Sequence, residues 1–302
     1  MPHTLSFKTS MTFTYGEPSP VSPGIVRIVA HNPSPLTFKG TNTYLVGMTE
    51  LAVIDPGPAD AAHRDAILKA AAGRPIRQIL VTHAHRDHAD GAAALKAATG
   101  ASVLGYGRGT FDAIGPDTNP QGSEFIDFVF APDVLLRDGD IAEGPEWRLE
   151  AIYTPGHAPD HLCFALLGRN VLFSGDHVMA WNTTLVAPPE GAMADYIASL
   201  ERLLARSEAS YLPGHGGRLD EPHRTVKAYL LHRRWREDSI LEAIRGGVET
   251  IETIVPVVYP TIEGRLVNAA ALSVQAHVEH LIARGLVTCD GPPAWNRLLA
   301  PA

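Results

Sequence analysis

Thr82-His83-Ala84-His85-Arg86-Asp87-His88 places four ligand-type side chains within six positions. It follows an apolar run and precedes an alanine-rich segment that stops at Gly100. The run predicts a buried strand over 78–82, and the segment a helix over 87–99. Residues two apart on an extended chain point to the same side, so His83 and His85 can face one cation together. Asp87 and His88 stand where the chain turns into the helix and can face a second cation beside the first. Chance rarely assembles such a group, and a merely solvated polar loop explains it poorly.

Three other places repeat one pattern, in which a strand leads through a glycine turn to a ligand-type residue. They are Tyr153-Thr154-Pro155-Gly156-His157, Phe173-Ser174-Gly175-Asp176 and Leu212-Pro213-Gly214-His215. One His or Asp at a strand end is more often structural than functional. Their shared placement is what counts, because functional groups concentrate on loops held by a rigid scaffold. Together, His83, His85 and His157 offer three imidazoles to one metal. Asp87, His88 and His215 serve a second, and Asp176 has two oxygens that can bridge both. Cys163 lies inside a predicted strand and Cys289 is distant, so no thiolate competes. An N/O donor set of this kind points to two divalent ions, zinc first, with iron or manganese as alternatives.

The 302 residues fit one large domain or two unequal ones. Composition is 45% hydrophobic and 19% charged, which excludes a disordered or collagen-like chain. Apolar runs are too short to span a bilayer, and the opening residues lack a basic region and an apolar core, so a cytoplasmic protein without membrane partners is expected. Two cysteines cannot supply a disulfide framework. The net charge of -8 argues against broad binding to nucleic acid.

The first 24 residues read as an irregular arm. Strands are expected at 24–30, 43–46, 51–54, 102–106, 134–136, 147–153, 162–167, 171–173 and 210–212, with the second and third forming a hairpin. Helices are expected at 59–72 and 192–206. The stretch 107–132 reads as a long loop, whose Phe125, Phe128 and Phe130 either cover the site or anchor the loop. This mixture predicts a layered α/β domain over 1–220. Helical segments at 224–245 and 268–284, with a short strand at 286–289, predict a small second domain over 221–302. His31, His63, His223, His232, His277 and His280 read as ordinary surface or helix residues. His161 and His177 could orient substrate or simply pack, and Asn42 and Tyr44 could line a pocket.

The HxHxDH motif with the later His, Asp and His resembles the metallo-β-lactamase superfamily over nearly the whole chain. Ile54-Asp55-Pro56-Gly57 is similar to that family's first motif, which implies a structural role for Asp55 beside the metal loop. The resemblance implies an αββα sandwich with metals at one edge. Phe38–Val46, Val186–Gly191 and the helical C-terminus look like the β-lactamase-like protein 2 branch, whose small C-terminal domain is winged-helix-like and whose members include a metal-dependent endoribonuclease. Asp176 stands where β-lactamases of this fold usually carry Cys or Ser, and His85 where flavo-diiron oxidoreductases have Glu. Hydrolysis of something other than an antibiotic is implied. Neither a large insertion of the β-CASP kind nor the glutathione-contacting pattern of glyoxalase II is found.

Two function classes follow. The first is an enzyme, a dinuclear metal-dependent hydrolase that uses a metal-bridging hydroxide on a small ester or thioester. Asp176 and Asp87 are its catalytic carboxylates, the first orienting the metals and the second accepting a proton. The alternative is an endoribonuclease cutting single-stranded RNA, for which His232-Arg233-Arg234-Trp235-Arg236 supplies a basic cluster around an aromatic. Against RNA, residues 222–290 balance eight basic against eight acidic side chains. The C-terminal domain could equally shape a small-molecule pocket or mediate a homodimer.

Overall fold

The structure, a computed structural model, describes residues 7–107 and 130–302. Two sheets stack face to face. The first has seven strands in chain order: β1 Ser19–Ser22, β2 Ile25–Val29, β3 Asn42–Val46, β4 Leu51–Ile54, β5 Ile76–Leu80, β6 Ser102–Gly105 and β7 Val134–Leu135. The second runs β12-β11-β10-β9-β8, with β8 Ile141–Gly144, β9 Trp147–Tyr153, β10 Leu162–Leu166, β11 Val171–Gly175 and β12 Ser210–Pro213. The first sheet pairs antiparallel from β1 to β4 and parallel from β4 to β7.

Period-two alternation explains the layering. On β3, Tyr44 and Val46 enter the core between the sheets, while Leu45 faces the outer helices. On β10, Leu162, Phe164 and Leu166 point inward and Cys163 and Ala165 outward. Helices α1 Ala61–Ala71, α2 Arg86–Ala89 and α3 Ala92–Thr99 follow β4 and β5. Ile67, Ala71, Ala89 and Leu95 from these helices pack on the first sheet. Helix α4, Met193–Leu204, covers the second sheet with Tyr196, Leu200 and Leu203. Each fully buried leucine contributes roughly 1.5–3 kcal/mol. The result is the expected αββα sandwich.

The C-terminal part is built from α5 Pro222–Arg245, α6 Ile251–Val258 and α7 Val267–Ala283. A two-stranded ribbon of β13 Val287–Cys289 and β14 Leu299–Pro301 completes it. Helix α5 belongs to two cores: Val226 and Tyr229 pack on the second sheet, and Ile240 and Ile244 pack on α6 and α7.

Several expectations are corrected. The N-terminal arm contributes β1, paired with β2. The helix expected over 87–99 is two helices. Gly91 interrupts it, its N–H donating to Gly57 O at 2.8 Å, and a Cβ there would stand 2.7 Å from Pro56 O. Tertiary packing against the loop after β4 overrides helical propensity there. Strand β8, helix α6 and strand β14 were not foreseen; α6 carries Pro256, which masks its helical pattern, but opens with a Thr250–Thr253 capping box. Phe125 and Phe128 lie outside the described residues, and Phe130 packs in the outer core against Gly105. His63 and His277, expected as surface or helix residues, lie on helices α1 and α7 and are buried there.

Burial pushes His277, on α7, down to about 4. The folded state therefore holds fewer protons than the unfolded chain between that value and 6.5, and stability falls as pH drops through this window. His277→Leu is expected to remove up to about 3 kcal/mol of the acid sensitivity seen by urea unfolding at about pH 7 and pH 4.5. An identical pH dependence in variant and wild type would refute this.

Candidate metal centre

The C-terminal ends of four strands converge at one edge of the sandwich, where open α/β sheets place their ligands. The loop after β5 carries His83, His85, Asp87 and His88. The turn after β9 carries His157, that after β11 Asp176, and that after β12 His215. The strand-exit turns are tight. Gly156 has φ +129°, and a Cβ there would stand 2.3 Å from Tyr196 N on α4, so only glycine lets the His157 turn lie on that helix.

The structure brings all seven residues together. His83 Nε2 lies 2.9 Å from His85 Nδ1, which lies 3.1 Å from His157 Nε2. His215 Nε2 is 3.2 Å from Asp87 Oδ2 and 3.3 Å from Asp176 Oδ2, and His88 Nε2 is 3.4 Å from Asp87 Oδ2. Asp176 stands between the groups, its Oδ1 3.5 Å from His88 Nε2 and its Oδ2 3.8 Å from His157 Nε2. Three overlapping triads have all donor atoms within 4.8 Å: His83–His85–His157, His83–His88–Asp176 and Asp87–His88–His215. Donors around one tetrahedral zinc stand about 3.4 Å apart. Two buried donors, His88 Nε2 and Asp176 Oδ1, have no hydrogen-bond partner among the described residues. Spacing, orphaned atoms and donor chemistry all fit divalent cations.

Each imidazole is held through its other nitrogen. His83 Nδ1–H donates to Thr82 Oγ1 at 2.9 Å, whose hydroxyl donates to Asp55 Oδ2 at 2.9 Å. His88 Nδ1–H donates to Asp55 Oδ2 at 2.8 Å, and His157 Nδ1–H to Leu185 O at 2.7 Å. His215 Nδ1–H reaches Gly40 O at 3.2 Å, and His85 Nε2 faces Glu190 Oε2 at 3.4 Å. Such partners select the tautomer that aims a lone pair inward. Asp55 sits at φ +50°, a left-handed conformation that Asp tolerates better than most residues.

Burial pushes His83 well below its ordinary value and His157 down to about 4, so both are neutral donors at pH 7. Burial opposes ionisation of Asp87 and Asp176, but the facing His88 and His215 outweigh it and hold both carboxyls low. Burial likewise opposes protonation of His88 and His215; the carboxylates overcome it and raise both, His215 to about 10. A cation would replace the protons that balance those carboxylates.

Other expectations resolve by position. His161 is buried; its Nδ1–H donates to Thr154 Oγ1 at 2.9 Å and its Nε2 accepts from Asp176 N at 3.2 Å, so it braces the Asp176 turn. His177 packs on Tyr196, with ring centroids 4.6 Å apart. Asn42 and Tyr44 tie the sheets together: Asn42 Nδ2 donates to Pro213 O and Gly216 O, and Tyr44 OH donates to Pro213 O. Sequence reasoning missed Thr41, whose hydroxyl donates to Asp87 Oδ2 at 3.1 Å, and Glu190. Nothing local flags either residue. The basic cluster is largely internal. Arg233 and Arg236 are buried, and exposed Arg234 pairs with Glu201 at 3.5 Å.

Asp55→Ala is expected to lower the stability of metal-free protein by about 3 kcal/mol, because it strands the Thr82 N–H, the Thr82 hydroxyl and His88 Nδ1–H in a buried setting. Urea unfolding measures this, and an unchanged midpoint would contradict it.

Comparison with known proteins agrees with this geometry. The chain is 31% identical over 278 residues to "Beta-lactamase-like protein 2 homolog" of Drosophila melanogaster, covering 86% of this chain and 88% of that one. It is 28% identical to "Atrochrysone carboxyl ACP thioesterase" of Aspergillus fumigatus, covering 75% and 66%. A solved β-lactamase domain protein from Burkholderia ambifaria shares the fold with a TM-score of 0.82 at 21% identity, over 100% of this chain and 98% of that one. Residues 250–295 match the beta-lactamase associated winged helix domain. Residues 36–215, which hold all seven clustered side chains, match the metallo-beta-lactamase superfamily, and to that superfamily the chain belongs.

Proposed function

We propose that this protein is a dinuclear metal-dependent hydrolase of small ester or thioester substrates. The observation that carries this is the convergence of five imidazoles and two carboxylates, each imidazole tethered from behind. His83, His85 and His157 would hold one cation, and Asp87, His88 and His215 a second, with Asp176 shared. Zinc suits this donor set best, with iron or manganese as alternatives. When bound, such cations supply Lewis acidity and make water a nucleophile at neutral pH.

The chain's own residues do the rest. The buried walls of His83, His88 and His215 exclude bulk water and strengthen every charge interaction inside the cleft. Asp176, fixed by His161 at its backbone N–H, holds its carboxylate between the two groups. Asp87 is the half-buried carboxylate of the cleft and, besides its share in holding the second cation, is placed to accept a proton and to pass it to the leaving thiolate or alkoxide. In a thioester the water oxygen bonds the carbonyl carbon and the C–S bond breaks, giving acid and thiol.

The thioesterase named among the relatives supports the acyl-transfer reading. The endoribonuclease alternative loses support from the burial of Arg233 and Arg236, which leaves Arg234 as the exposed arginine of the cluster.

The experiment is hydrolysis of acyl N-acetylcysteamine thioesters by zinc-loaded protein, with Asp176→Ala and labelled single-stranded RNA run alongside. Asp176→Ala is expected to lose at least one zinc per chain and roughly a hundredfold or more in turnover. Wild-type turnover in that variant would refute the mechanism. RNA cutting by wild type alone, without thioester hydrolysis, would replace the substrate class.

A further inference from the structure

A cavity of about 990 Å³ opens between the catalytic sandwich and the C-terminal helices. It lies beside the metal centre and does not contain it. None of the seven clustered residues lines it, but Leu185 does, and Leu185 O is the acceptor that holds His157. Its walls are mainly apolar. Leu36 and Phe38 come from the loop before β3, Trp181 from the segment after β11, and Leu231, Ile262 and Leu266 from the C-terminal part. Leu36, Leu231 and Trp235 are 38%, 49% and 44% exposed, an unusual cost for large apolar groups at one mouth.

Two buried arginines line this apolar space. Arg233 is 2% exposed and Arg236 7%. Arg233 donates to Thr184 O and lies 5.1 Å from the Tyr196 ring centroid. Arg236 donates to Val258 O and lies 3.9 Å from the Tyr259 ring centroid. Among the described residues neither has an ion-pair partner, and both Nε atoms are buried without a hydrogen-bond acceptor. Glu237, the buried acid of α5, is committed elsewhere, to His280 and Arg284. Burial and the neighbouring Arg233 push Arg236 below the ordinary arginine value. Two like charges taken out of water without a counter-charge are strongly unfavourable alone, and an anion in the cavity would offset that cost.

We propose that this cavity binds an amphipathic carboxylate, its apolar chain against Leu36, Leu231, Trp235 and Leu266 and its carboxylate facing Arg233 and Arg236. Apolar walls select a hydrocarbon body, and the paired guanidiniums select one anionic end; a neutral lipid or a polyanion satisfies only one of these. Thioester hydrolysis releases its acyl group as such a carboxylate, so the cavity matches the chemistry of the reaction's product. That link alone rests on the hydrolase reading. Binding itself does not require turnover.

Trp181 and Trp235 both line the cavity, so tryptophan fluorescence of the full, metal-loaded chain reports its occupancy. Dodecanoate is expected to give a saturable change, with dodecanol and acetate at least about tenfold weaker. Arg236→Met is expected to weaken dodecanoate by about tenfold or more while leaving the melting temperature unchanged or higher, since a buried unpaired charge is gone. Ala269→Trp, which fills part of the space and leaves both arginines in the sequence, is expected to abolish binding; it keeps the test decisive if Arg236→Met misfolds. Equal binding of dodecanol, or undiminished binding in both variants, overturns the proposal. Thioester hydrolysis without dodecanoate binding sinks the cavity and spares the hydrolase reading; binding without any hydrolysis does the reverse.

Discussion

The Asp55 carboxylate is the joint on which the metal-centre loop turns. One oxygen accepts from Thr82 N–H at 2.8 Å; the other accepts from the Thr82 hydroxyl and from His88 Nδ1–H. Through Thr82 it also sets His83. A single group at the end of β4 thus fixes backbone, tautomer and ring direction for a loop that leaves the neighbouring strand β5. Five imidazoles and two carboxylates in one cleft would otherwise rearrange to pair with each other, as the elevated His88 and His215 indicate. Tethering each ring from behind keeps the inward-facing atoms available.

The same edge joins the two sheets. Asn42 N–H donates to Gly214 O at 2.7 Å, its side chain reaches Pro213 and Gly216, and Leu162 N–H donates to Thr82 O at 2.7 Å. Ala84 N–H donates to Asp160 Oδ2 at 2.9 Å. Residues that would complete a metal site therefore come from both sheets, and their spacing depends on how the sheets dock. Packing at organic-crystal density in the core between them leaves little freedom for that docking to drift.

The C-terminal helices do more than cover the sandwich. Helix α5 is shared by two cores, and its Arg233 donates to Thr184 O, while the Thr184 hydroxyl donates to Asp176 O at 2.6 Å. A chain of contacts thus connects helix α5 to the turn bearing Asp176. The arginines that look like a nucleic-acid footprint in one dimension line an internal cavity in three. Helical periodicity explains the difference: 233 and 236 lie one turn apart on the buried face, and 234 on the open one.

The local pattern was enough to reveal a layered α/β domain, the strand-exit turns and all seven clustered residues, while the αββα arrangement of the layers was implied by the family resemblance. Strand periodicity, glycine turns and the HxHxDH spacing act over short stretches, so they survive in the linear chain. The break at Gly91, β8, α6 and β14 were not legible, because close backbone approach and pairing between distant segments determine them. Glu190 facing His85, His161 bracing Asp176 and the burial of His63 and His277 belong to the same class. Sequence specifies which groups are present and in what local register. Only the docking of two sheets and a helical domain decides which polar groups lose water, and that loss determines their partners, their charge and their use.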